Sequence, residues 1–139
     1  MIGQLALKAL RRLGAFILHD EVRLLELFSA LNLLAWVKVL HENPFLFQRD
    51  SYLTFASLGQ PIWLALFAIV AAVQVAGMLM GWRYAHEVRL VGFALASGVW
   101  ASVTISFIYS GVSTTAELNY SLLALGCMIS GAFVGWKAR

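Results

Sequence analysis

The stretch HDEVRLLELFSALNLLAWVKVL, residues 19–40, decides how the whole chain is read. It is strongly apolar from Leu27 onward, yet its head carries Asp20, Glu21, Arg23 and Glu26. A helix that crosses a bilayer needs about 20 residues at about 1.5 Å rise each. Leu27 to Leu40 is too short alone, so a crossing must begin near Val22 and bring Arg23 and Glu26 into the membrane edge. Arg23 can extend its charge outward along an apolar stem, and Glu26 follows three residues later on the same helix surface, where the two can pair. Asp20 offers an N-cap and Glu21 a favourable first-turn charge. The expected span is about 22–40. Its polar stripe, Glu26, Ser29, Asn32 and Trp36, should face other helices, because an unpaired amide in hydrocarbon costs several kcal/mol.

Composition supports the same solvent. Of 139 residues, 61% are hydrophobic and only 12% charged, with a mean hydropathy of +0.81; soluble domains carry about 25% charged residues. The net charge of +3 is scattered in ones and twos rather than gathered into a basic stripe, which argues against nucleic acid as a partner. Cys127 lies alone in an apolar segment and cannot pair within the chain. After Lys8, Arg11 and Arg12 the apolar run LGAFIL is shorter than a usual signal-peptide core of about 7–15 residues. The N-terminus is therefore expected to be retained.

Upstream, residues 2–18 show helical periodicity. Ile2, Leu5, Ala9, Leu13 and Phe16 share one face, and Gln4, Lys8, Arg11 and Arg12 the other. This predicts an amphipathic interfacial helix within 1–19, its cations near lipid phosphates. Downstream, Asn43-Pro44 and Gly59-Gln60-Pro61 bracket a connection over 41–61 whose Phe45, Phe47, Tyr52 and Phe55 suit the membrane interface. A second span is expected over 62–80, a third over 90–109 after the link GWRYAHEVR, and a fourth over 116–136, opened by capping-box spacing at Thr114 and Glu117. The fold class is thus all-α, an integral membrane four-helix bundle in a single domain.

An even number of spans puts both termini on one side. Lys8, Arg11, Arg12, Arg23, Arg83, Arg89, Lys137 and Arg139 then share a face, against Lys38 and Arg49 on the other. By the positive-inside rule both termini are expected in the cytoplasm, with the chain in a bacterial inner membrane.

Little in the chain points to catalysis. His19, His41 and His86 fall on different connections, no nucleophile has a base at a recognisable spacing, and no glycine-rich phosphate loop occurs. A non-enzymatic protein without cofactor or metal is expected. Small residues recur instead. Ala94, Gly98, Ser102 and Ser106 are four apart on the third span, and Gly126, Ser130, Cys127, Gly131 and Gly135 form two rows on the fourth. Such rows let helices approach closely in lipid, either inside one bundle or between copies. Glu26, Asn32 and Gln74 are the intramembrane polar positions.

LHDEVRLLELFSALNLLAWV, a loop, a Trp-flanked span, WRYAHEVRLVGFALASGVWASV and a further short span together resemble the small four-span membrane proteins of tailed phages and prophages, some described as holin-like. The resemblance covers the layout of the chain and carries no catalytic residue. It implies a protein that accumulates in the inner membrane, associates laterally as a homo-oligomer and permeabilises it. The tail Lys137-Ala138-Arg139 is shorter than the charged tails holins often have, and no second methionine stands close to Met1. Two other functions fit the same residues: a membrane anchor or scaffold for an unidentified membrane partner, and a small transporter or channel.

Overall fold

A computed structural model describes residues 22–80, 84–111 and 114–137, with the backbone alone at Lys137. The chain runs α1 (Arg23–Glu42), two 3₁₀ segments (Leu46–Gln48 and Asp50–Ser57), α2 (Gln60–Leu79), α3 (Ala85–Tyr109) and α4 (Thr115–Lys137). The four α-helices among the described residues are each long and apolar enough to cross a membrane. The fold is the expected all-α four-helix bundle. The interfacial helix expected within 1–19, with Lys8, Arg11, Arg12 and the Asp20 cap, lies outside the described residues.

Local chemistry explains the boundaries. α1 ends before Pro44, which disfavours helical geometry in the preceding residue, and the Asn43 side-chain amide donates to the Val39 carbonyl at 2.9 Å. Gly59 has φ 80° and Pro61 lies in the opening turn of α2, a position that needs no backbone N–H. At the head of α4, the Thr114 N–H faces Glu117 Oε1 at 3.4 Å. This is the glutamate half of the expected capping box. The Thr114 hydroxyl has no hydrogen-bond partner among the described residues.

Successive helices run antiparallel. Gly131 packs on Phe93 and Gly135 on Leu90 between α4 and α3, while Gly92 meets Gln74 between α3 and α2. The α3–α4 seam is the most extensive, followed by α1–α2 and α2–α3; α1 and α4 touch sparsely. Buried positions recur at alternating steps of four and three: Glu26, Ser29, Leu33, Trp36, Leu40 on α1, Trp63, Phe67, Val70, Gln74, Gly77 on α2, Arg89, Phe93, Ala96, Trp100, Val103, Phe107 on α3, and Leu123, Cys127, Ser130, Val134 on α4. That spacing is the seam of left-handed, coiled-coil-like packing. The outward faces carry Leu31, Ile62, Ile69, Ile105, Leu125 and Ile129, each about half exposed or more. A bundle with an apolar exterior is built for hydrocarbon.

Two ends can be told apart. One, the charged end, holds the start of α1 and α3 and the close of α2 and α4. The other is aromatic. There the connection over 41–61 folds back as 3₁₀ turns that sink Phe55 to 0% exposure, stacking it on Phe47, tilting it against Trp63 and setting it edge-on to Phe107 at centroid distances of 5.2–5.5 Å. The Trp63 indole N–H donates to the Phe55 carbonyl at 3.0 Å.

Candidate functional site

Near the charged end, the Arg89 Nε donates to Glu26 Oε2 at 2.8 Å, joining α3 to α1 across the bundle. Both side chains are buried, Glu26 completely. This departs from the sequence expectation in one respect: the third helix starts at Ala85 rather than Leu90, so Arg89 belongs to the spanning helix and faces its interior. The signal was present. Stepping back from Trp100 through Ala96 and Phe93 by four and three reaches Arg89, but hydropathy alone places the boundary where the charges stop.

The approach of α2 makes room for this arginine. A Cβ at Gly77 would stand 2.9 Å from Arg89 Cγ and 3.3 Å from its backbone nitrogen. Only glycine leaves the stem of Arg89 space there. One turn further in, the Trp100 indole N–H donates to the Ser29 hydroxyl at 2.9 Å, and Ser29 also neighbours the Cys127 thiol. Gln74 is fully buried on α2, packed against Gly92, and neither of its amide atoms has a hydrogen-bond partner among the described residues. Gln74 is thus intramembrane and polar as expected, and the bundle buries it without such a hydrogen bond among the described residues.

Asn32 also departs from its stripe. Glu26, Ser29 and Trp36 do turn inward, but Asn32 is only partly buried and its amide donates to the Phe28 carbonyl of its own helix at 2.9 Å. It lies on a lateral groove of about 650 Å³ where α1 and α4 part, with Leu25 and Phe28 beside it and Ala116, Asn119 and Tyr120 opposite. A smaller recess of about 220 Å³ continues from Asn32 and Tyr120 towards Trp36 and Tyr52. The groove is pinned at two points. Leu25 packs on Gly126, whose Cβ would stand 3.1 Å from Leu25 Cδ2, and the Trp36 indole N–H donates to Tyr120 Oη at 3.0 Å.

The small-residue rows divide between inside and outside. Ser130 and Gly131 are buried and Gly126 and Gly135 half-buried, all serving contacts within the chain. On α3, Ser106 is buried and bonds to the Ser102 carbonyl at 2.9 Å. Ala94, Gly98 and Ser102 face outward. The Ser102 hydroxyl bonds to the Gly98 carbonyl at 2.9 Å, and no atom lies within 4 Å of the place a Gly98 Cβ would occupy.

Among the described residues no group of three or more His, Cys, Asp or Glu could hold a metal ion. His86 and Glu87 occupy the opening turn of α3. No protein-family model matches the chain, and neither the curated proteins nor the solved structures contain a match to it.

Proposed function

We propose that the chain is a phage-type, multi-pass inner-membrane protein whose copies associate side by side, with holin-like permeabilisation as the activity. Gly98 carries the reading. The glycines of α4 are used within the chain, whereas Ala94, Gly98 and Ser102 leave a row of small residues on the outside of α3. In lipid such a row lets a second helix come close enough for dispersion and weak hydrogen bonds to hold it. With Cys127 replaced by serine, Gly98→Cys should give disulfide-linked dimers in native membranes while Leu125→Cys, on another exposed face, should not. Equal cross-linking at both positions, or none at Gly98, would remove the interface. Induced expression in a bacterium tests the activity: delayed, abrupt loss of membrane potential supports permeabilisation, and harmless accumulation with a co-purifying partner favours the scaffold.

The buried Glu26–Arg89 pair favours a second reading, a small transporter, because ionisable groups inside spanning helices commonly line ion or proton paths. Orientation rests on the asymmetry of Lys and Arg. In a Cys127→Ser background, Ser51→Cys should react with an impermeant thiol reagent from outside, and labelling of Ala85→Cys instead would invert the topology.

A further inference from the structure

We infer that the groove between α1 and α4 is a binding site for a neutral glycerolipid, its hydroxyl and ester groups at Asn119 and Tyr120 and an acyl chain along Phe28 and Leu122. A volume of about 650 Å³ lies within the range of about 300–1,000 Å³ that small-molecule sites occupy, and gaps between helices of a bundle are a common place for them. Polarity grades along the groove. Thr115, Asn119 and Tyr120, within the first two turns of α4 at the aromatic end, and Asn32 of α1 supply the polar part, while Leu25, Phe28, Leu122 and Leu123 are apolar. That is the profile of an amphiphile lying along the seam with its polar group near the interface.

The hydrogen-bonding capacity of the polar part is open. Tyr120 Oη accepts from the Trp36 indole, so its own proton is available to donate. Asn119 is exposed, and an amide directed at hydrocarbon gains from any donor or acceptor delivered there. A bare acyl chain meets the apolar stretch only; a glycerol hydroxyl and ester carbonyl meet the rest.

Charge selects among lipids. Among the described residues no charged side chain lines the groove, so none of them offers a cation to pair with a lipid phosphate. Diacylglycerol fits this better than phosphatidylglycerol.

The test uses the full chain in phosphatidylcholine nanodiscs with a trace of diacylglycerol bearing a diazirine on its acyl chain. Cross-links should concentrate on Phe28 and Leu122, should be competed by unlabelled diacylglycerol more strongly than by phosphatidylglycerol, and should fall sharply when Ala116→Trp fills the groove. Asn119→Leu, on an exposed position that leaves the core intact, should weaken competition about fivefold, the equivalent of one ordinary hydrogen bond. Labelling spread evenly over the outward faces of all four helices, or unchanged in both variants, overturns the site. Cross-links from the groove to a second copy of the chain also overturn it and make the occupant a protein helix.

Discussion

The charged end and the aromatic end of this bundle hold the same helices together by opposite means. At the charged end the ion pair of Arg89 with Glu26, at 2.8 Å, links α3 to α1. At the aromatic end Trp36 alone meets Tyr52, Phe55, Phe67, Phe107 and Tyr120 at centroid distances of 5.6–6.4 Å. An ion pair in a low-dielectric interior is strong in one geometry and costly in every other, because each charge has lost its water. An aromatic cluster is redundant, and any ring can be lost while its neighbours stay in contact. The comparison teaches where the fold is brittle and where it is tolerant.

Breaking the brittle end should have the largest effect. Arg89→Ala removes the cross-bundle partner of a fully buried carboxylate and should lower stability by about 3–5 kcal/mol, read as a fall in the thermal midpoint of detergent-solubilised protein. The double variant Glu26→Leu with Arg89→Leu should recover most of that loss, since apolar replacement of a buried pair is often neutral. A double variant as unstable as the sum of both single ones would show that the two side chains act independently.

Next comes Phe55→Ala at the tolerant end. Emptying a fully buried aromatic position should cost about 3 kcal/mol, but the loss should be local. Protease cleavage between Arg49 and Leu58 should rise before the helices melt, and simultaneous loss of helix and cap would make the aromatic end as brittle as the charged one. A smaller effect is expected from Trp36→Phe, which keeps a ring but deletes the hydrogen bond to Tyr120, at about 1 kcal/mol. It should loosen the seam between α1 and α4, seen as faster amide exchange in the opening turn of α4.

The smallest change should be a gain. Gln74→Leu removes a buried amide without a hydrogen-bond partner among the described residues and keeps much of its volume, so stability should rise by about 1 kcal/mol. A loss of activity together with that gain would identify Gln74 as a functional group.

Much of this was legible one residue at a time. A run of apolar residues long enough to span a bilayer, bounded by Pro61 or Gly111, specifies a helix whatever surrounds it, because in hydrocarbon the backbone must satisfy itself within the segment. The four helices and their order follow from that local rule, and the rows of small residues on α3 and α4 were visible too, but whether each row packs inside the bundle or faces outward was not. Position along a helix is also local, and the alternation of four and three that ends at Arg89 lies in the sequence for anyone who carries the period past the edge of the apolar run.

The partner of a side chain is not local. Glu26 could pair with Arg23 on its own helix by spacing alone, and only the packing of α1 across from α3, with Gly77 making way on α2, brought Arg89 to it. Likewise, nothing in the composition of α1 or α4 says that these two helices should part between the Leu25–Gly126 contact and the Trp36–Tyr120 hydrogen bond. Helix formation is decided by each segment's own length and hydropathy, whereas pairing and gaps depend on how four rigid cylinders settle against one another, and that is a property of the assembled structure.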